Sequence, residues 1–291
     1  MTNGDRPEPP LELHDTPARP PTRPVRKDET ILSERGLYVE VWLPERRSRR
    51  RPLLLLHGEL AGSWLWERYL GYFAGRGWEG HALNLRSHFW SETADLATLT
   101  IESYVDDAQA AFDRLAVRGP VVIGHGMGAL LALKLAERNP VGGLVLLAPP
   151  LPDPLHPLPN PRDLQIPARF RQDALGWRGA VEELRSLNPD LTSADVLRIQ
   201  HFLAAESGTA RKQLLRGVPV NRSAAAHSPI LVMGGGLDRI YPALDAERLA
   251  EWLGSEYRGF GAHSHFGLVL GERSFEQVAD GIRQWLEHHR L

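Results

Sequence analysis

Short runs of wholly apolar residues, Leu53–Leu56, Val121–Ile123, Gly143–Leu147 and Pro229–Met233, recur along this chain with helical patterns between them. A strand that is apolar on both of its alternating faces has to be covered on both sides, so such runs belong to a parallel sheet packed between helices. Three segments carry helical spacing: Trp64–Gly75, which closes in Gly75-Arg76-Gly77; Ile101–Leu115, with Ile101, Tyr104, Val105, Ala108, Phe112 and Leu115 near one face; and Met127–Arg138. Glu79–Leu85 reads as a further strand, and Leu37–Leu43 alternates as a half-buried one does. The order predicts an α/β fold, a mostly parallel central sheet with helices on both faces. Ligands of such sheets bind beyond the carboxyl ends of the strands.

The alternation breaks between Pro149 and His227. A proline-rich entry, Pro149–Pro161, leads into helical patterns at Gly179–Leu187 and Ser193–Ala205. Residues 149–227 are therefore expected to form an inserted helical cap, and residues 29–148 and 228–291 the core. The core resumes with Pro229–Met233, a helix at Leu244–Leu253, a strand at Glu256–Phe260 and a closing helix at Phe275–His288. Residues 1–28 hold seven prolines and hardly any large apolar side chains, too little to offset chain entropy, and read as a disordered arm. The basic run Arg46-Arg47-Ser48-Arg49-Arg50-Arg51 reads as a solvated hairpin loop, since no aromatic or glycine-rich partner lies beside it for phosphate binding.

With 291 residues and 42% hydrophobic content the chain can bury the core of one large domain plus an insertion. A net charge of −2 gives no long-range field to draw nucleic acid or an acidic membrane, so a small-molecule partner is expected. The absence of cysteine excludes disulfides, thiolate–zinc sites and a cysteine nucleophile. No apolar run approaches the roughly 20 residues of a membrane span, and the polar, proline-rich start is unlike a secretory signal, which together favour the cytoplasm. His263 and His265 form an H-x-H pair without a third ligand at metal spacing, so neither a metal nor a cofactor is expected. Oligomeric state is not legible.

Four motifs carry the chemistry, each just after a predicted strand: Leu56-His57-Gly58-Glu59, Gly124-His125-Gly126-Met127-Gly128, Gly236-Leu237-Asp238-Arg239-Ile240-Tyr241-Pro242 and Ser264-His265-Phe266-Gly267. In this order they resemble the oxyanion loop, the G-x-S-x-G nucleophile elbow, the acid loop and the histidine loop of the α/β-hydrolase superfamily. The resemblance spans Glu29 to Leu291. It implies that Asp238 holds His265 in one tautomer with the other ring nitrogen facing the elbow, and that the amides of Glu59 and Met127 stabilise an oxyanion. The plain alternative is that Asp238 caps a turn and His265 is a buried structural histidine.

The sequence departs from the pattern in three places. Gly126 stands where the serine nucleophile belongs, which closes the acyl-enzyme route there. Glu59 puts a carboxylate beside the oxyanion position; it either points inward, with a raised pKa or as a partner of His265, or bends outward to an arginine. Asn84, in Asn84-Leu85-Arg86-Ser87-His88, replaces the aspartate that relatives often carry. His125 is expected to pack beside the turn, and Trp64, with Trp66, Phe89, Trp90 and Trp177, to supply candidates for an apolar pocket wall. Three functions remain open. The chain is an enzyme using the His–Asp dyad as general acid/base on a small apolar carbonyl or ester, a non-catalytic binder on the same fold, or a serine hydrolase in which glycine has been substituted.

Overall fold

A computed structural model describes residues 25–46 and 48–291. Its main sheet has eight strands, β1 (Val25–Leu32), β2 (Leu37–Pro44), β3 (Leu53–Leu56), β4 (Gly80–Leu83), β5 (Val121–His125), β6 (Gly143–Leu147), β9 (Ile230–Gly235) and β10 (Glu256–Phe260). They lie in the order β1-β2-β4-β3-β5-β6-β9-β10. β1 and β2 pair antiparallel, as do β2 and β4, and every other pairing is parallel.

The apolar runs fill both faces because alternate residues point to opposite sides. Leu54, Leu56, Val122, Leu144, Leu146, Ile230 and Val232 enter one core cluster. There they meet α2 (Ile101–Asp113), α3 (Met127–Ala136) and α8 (Ala243–Leu253), through residues such as Tyr104, Leu130 and Leu249. Leu53, Leu55, Val121, Ile123, Val145, Leu147, Leu231 and Met233 enter the other cluster, beneath α1 (Glu67–Ala74) and α9 (Phe275–His288). α2 starts at a capping box, in which the Thr100 side chain accepts from the Ser103 amide and Ser103 returns the bond to the Thr100 amide.

β1 corrects the expected boundary of the N-terminal arm, because residues 25–28 belong to it. Seven of its eight residues are exposed and polar or isolated, so it shows no alternation; it is held by the ladder from Leu32–Leu37 to Val25–Pro44 and by Lys27 over the Trp42 ring at 3.9 Å. The rest of the arm, residues 1–24, lies outside the described residues. Apart from Arg47, which lies outside the described residues, the basic run is a loop but not a hairpin, since β4 lies between the strands it joins. Arg50 covers the Trp78 ring at 3.6 Å and Arg51 Nη1 donates to the Gly119 carbonyl at 3.0 Å.

Between β6 and β9, which are sheet neighbours, the chain makes a long excursion through β7 (Arg169–Phe170), α4 (Val181–Leu187), α5 (Ser193–Phe202), β8 (Glu206–Ser207), α6 (Gly208–Arg216) and α7 (Arg222–Ala225). β7 and β8 form a separate antiparallel ladder. α5 begins at a second capping box, Thr192 with Asp195, and at α6 the Ser207 hydroxyl accepts from the Ala210 amide at 3.1 Å. α6 and α7 escape the sequence reading because Gly208-Thr209-Ala210-Arg211-Lys212 and the short Arg222–Ala225 turn carry too few apolar residues for a helical stripe.

Candidate active site

The turn from β5 into α3 is tight enough to dictate its glycines. A Cβ on Gly128 would lie 2.1 Å from the Leu56 carbonyl oxygen, and one on Gly124 2.2 Å from the Gly128 carbonyl oxygen, so neither position admits a side chain. Gly126, between them, has φ +56° and ψ −124°, the sharp left-handed corner of an elbow. Here a Cβ has room. It would touch His265 Cε1 at 3.4 Å, His265 Nε2 at 3.5 Å and Tyr241 Cε2 at 3.5 Å, all ordinary contacts. The elbow thus keeps its shape and lacks only the hydroxyl.

His265 follows β10 and faces that corner. Its Nδ1 donates to Asp238 Oδ2 at 2.8 Å, and both side chains are nearly enclosed. Asp238, after β9, is fixed in turn by its Oδ1, which accepts from the Ile240 amide at 2.8 Å and the Tyr241 amide at 2.9 Å. Because Nδ1 gives its hydrogen to the carboxylate, the neutral ring carries its lone pair on Nε2, the atom beside Gly126. His263 points elsewhere, its Nε2 toward the Ser274 carbonyl at 3.3 Å and its ring on Phe260. Among the described residues no three His, Asp or Glu side chains gather as a metal-binding group.

His125 packs under the dyad, its ring centroid 4.2 Å from that of His265 and its Nε2 donating to the His265 carbonyl at 3.0 Å. Burial first, and the neighbouring His265 second, hold its pKa well below the ordinary value, so it is a neutral wedge. The Glu59 and Met127 amides donate to no other group among the described residues. Met127 is the first residue of its helix, where the amide has no partner in the preceding turn.

Glu59 meets one half of each expectation made for it: it points inward, and its partner is an arginine rather than His265. It is 7% exposed and points inward, yet its Oε2 accepts from Arg211 Nη1 at 2.9 Å and from the Tyr241 hydroxyl at 2.6 Å. The outward bend is therefore corrected: the arginine comes to Glu59, carried by α6, and the pair is buried. Arg211 Nη1 also donates to the Tyr241 oxygen at 3.0 Å, closing a triangle. Burial first, with the Glu59 charge second, holds the Tyr241 phenol protonated, its pKa well above the usual value. Tyr241 lay within the acid motif, three residues past Asp238; Arg211 had no motif to mark it.

The loop before Glu59 is clamped from the other side. His57 is fully buried, its Nε2 accepting from the Leu85 amide at 3.1 Å and its Nδ1 donating to the Gly58 carbonyl at 2.8 Å, and burial pushes its pKa down to about 3. Leu60, at φ +64°, donates its amide to Glu206 Oε2 at 3.2 Å. Glu206 also accepts from His88 Nε2 at 3.1 Å, the Ser207 amide at 2.7 Å and the Tyr104 hydroxyl, with no part of it exposed. Burial opposes the charge on His88, but the Glu206 charge and hydrogen bond together outweigh it and raise the His88 pKa. Sequence reasoning singled out neither Glu206 nor His88 for this role. With asparagine at position 84, Arg86 turns to the buried Asp107 on α2, its Nε 2.9 Å from either oxygen.

The aromatic candidates divide. Trp66 is core and borders His125 edge-on at 6.5 Å, and Trp177 packs on Phe266 at 5.0 Å. Trp64 stacks on Phe202 of α5 at 5.5 Å, beside Gly62. Phe89 and Trp90 are exposed. The side chains nearest Gly126 are those of His265 and Tyr241.

An eight-stranded mostly parallel sheet, with an elbow, an acid and a histidine at the carboxyl ends of its strands, defines a class. The model of the alpha/beta hydrolase family matches residues 53–281, and the chain belongs to that family. Esterase EstD of Thermotoga maritima is 30% identical over 152 residues, half of this chain, which thus spans about a third (35%) of that curated relative's length. A thermophilic esterase from Thermogutta terrifontis superposes with a TM-score of 0.64 at 18% identity, covering 91% of this chain and 100% of that one. MenH from S. aureus does so with 0.65 at 16%, covering 87% and 99%. Identities this low speak for the fold alone. No helix among the described residues is long and apolar enough to cross a membrane.

Proposed function

We propose that this chain is an enzyme that acts on a small carbonyl or ester substrate by acid–base catalysis from His265, with no covalent acyl intermediate. The observation that carries the reading is the His265–Asp238 bond of 2.8 Å with Nε2 turned to the corner at Gly126. A carboxylate that fixes a histidine tautomer and stabilises its charged form is the arrangement a general base needs. In hydrolysis, a water oxygen in the space a serine side chain would fill attacks the carbonyl carbon. Its proton passes to Nε2 and then to the leaving oxygen as the tetrahedral intermediate collapses. The Glu59 and Met127 amides face the oxyanion. The residues of the inserted segment, 149–227, serve as a cap, since Arg211 and Glu206 reach from it to Glu59 and Leu60.

The test is turnover of a panel of short esters and hydroxy-carbonyl compounds by the native chain and by His265→Ala. Loss of about two to four orders of magnitude in the variant is expected for removal of a general base, and unchanged turnover would sink the reading. A second reading, a binder without chemistry, draws on the enclosure of the site, where Glu59, Asp238, His265 and Tyr241 are each 7–8% exposed. It predicts a ligand that raises the melting temperature of native and His265→Ala protein alike, with no turnover by either.

A further inference from the structure

We infer that Glu59 is a recognition subsite for a neutral hydrogen-bond donor, a hydroxyl or an amide N–H, carried by the ligand next to its reacting carbonyl. A carboxylate has about four lone-pair positions on its two oxygens. Both protein donors converge on Oε2, Arg211 Nη1 at 2.9 Å and the Tyr241 hydroxyl at 2.6 Å, while Oε1 is buried with no partner at all. Buried acceptors in folded proteins are nearly always paired, so an unpaired one calls for a partner such as a ligand, an ion or a water. Neither of the two donors on Oε2 also reaches it. The Tyr241 hydroxyl has one hydrogen, given to Oε2, and Arg211 Nη1 is shared between Oε2 and the Tyr241 oxygen.

Place and charge narrow the occupant. Glu59 supplies the amide beside the oxyanion position, and Tyr241, which holds its carboxylate, lies 3.5 Å from the Cβ position of Gly126. The subsite requires that a molecule whose carbonyl oxygen rests on the Glu59 and Met127 amides present its adjacent substituent to Oε1 of that same Glu59. Because Arg211 already balances the Glu59 charge, the site asks for a donor without a charge of its own. A hydroxy-carbonyl compound or an acylamino one fits; a quaternary ammonium ester does not. This rests on the acid–base reading only for where the carbonyl sits.

Glu59→Gln turns the geometry into a test. Arg211 and Tyr241 both donate to the Oε2 position, so they fix the amide oxygen there and leave the NH2 group at Oε1, an acceptor replaced by a donor. The probes are methyl 3-hydroxybutanoate and methyl 2-hydroxybutanoate, each paired with its O-methyl ether, which accepts but cannot donate. Affinities are measured by calorimetry in native, His265→Ala and Glu59→Gln protein. At least one hydroxy ester is expected to bind about ten-fold or more tightly than its ether in the native chain and in His265→Ala. In Glu59→Gln that preference vanishes or inverts, while Tyr241→Phe, which keeps Oε1, retains it. Equal affinities within both pairs in the native chain, a preference unchanged in Glu59→Gln, or no binding of any probe at about 10 mM overturns the subsite. Selectivity in His265→Ala reads the subsite alone, and turnover lost in that variant reads the chemistry, so the two proposals fail separately.

Discussion

Replacing Glu206 with glutamine tests how the site is held, and its cost follows from counting donors. Four groups donate to this buried carboxylate: the Leu60 and Ser207 amides, the Tyr104 hydroxyl and His88 Nε2. Glutamine offers one oxygen. Set at the Oε1 position it satisfies Ser207 and Tyr104 and turns its NH2 toward Leu60 and His88. His88 adapts by losing its Nε2 proton and accepting from the NH2, because its Nδ1 still donates to the Arg86 carbonyl at 3.0 Å. The Leu60 amide then has no acceptor, and an unpaired buried donor costs about 1–3 kcal/mol, to which loss of the charged pair adds a similar amount. The expected destabilisation is about 2–6 kcal/mol by urea or guanidinium unfolding. Its pH dependence has a definite sign. The His88 pKa is raised in the fold, so its contribution is fully present below the ordinary histidine value of about 6.5 and is lost as pH rises through the folded value. The Glu206 pKa is lowered despite the opposing effect of burial, so its contribution is present above about 4.5 and is lost as pH falls through the folded value. The gap between native and Glu206→Gln is therefore widest between those two ordinary values and narrows toward alkaline pH. A gap within about 0.5 kcal/mol at every pH, or one that widens as pH rises, would refute the reasoning.

Gly126→Ser places a hydroxyl one bond from a Cβ that lies 3.5 Å from Nε2; it is expected to confer acylation by p-nitrophenyl acetate, seen as a burst of nitrophenol and an acetyl mass shift, at about 1–2 kcal/mol of backbone strain. A folded variant with no burst counts against amides and dyad in working geometry. Gly128→Ala forces a Cβ onto the Leu56 carbonyl, where no side chain can yield; a fall in stability of more than about 3 kcal/mol, or no folded protein, is expected from thermal melts, and a wild-type melt would contradict the packing. Asp107→Ala leaves Arg86 without its buried partner and is expected to cost about 3–5 kcal/mol by chemical denaturation, well above the effect of Asp106→Ala on the exposed face of α2.

β3, β5, β6 and β9 were legible because their apolar runs are buried on both faces, a pattern only a doubly covered strand needs. β6 and α9 coincide with their expected bounds because of strong apolar patterning between clear stops, and β10 coincides as well although none of its residues is buried. β1 was not legible, since an edge strand exposed along seven of its eight residues is held by backbone pairing, which leaves no trace in side-chain polarity. The dyad could be located because acid and histidine each follow a strand in a recognisable turn. Arg211 and Glu206 could not. They sit in a helix and a two-residue strand with little apolar patterning, and only the tertiary fold brings them 152 and 146 residues back to Glu59 and Leu60.

That long-range pairing changes what the missing serine means. An elbow whose nucleophile had merely been lost would leave an ordinary apolar pocket facing an idle histidine. Here the loop from His57 to Leu60 is gripped on two sides by carboxylate chemistry from the inserted segment: Arg211 binds the Glu59 side chain, and Glu206 binds the Leu60 amide. Each grip buries charge, and a buried ion pair adds less stability than the same volume of apolar packing, so the fold alone gives no reason to build two of them around one turn. What the two grips do accomplish is to tie the Glu59 side chain to α6 and the next residue's amide to β8. The glycine at position 126 belongs to the same arrangement. His265 Nε2 and Tyr241 Cε2 each lie 3.5 Å from the position its Cβ would take, and the Tyr241 hydroxyl donates to Glu59 Oε2 at 2.6 Å, so that in the proposed reading a hydroxylated carbonyl compound bound there meets the base without meeting a nucleophile.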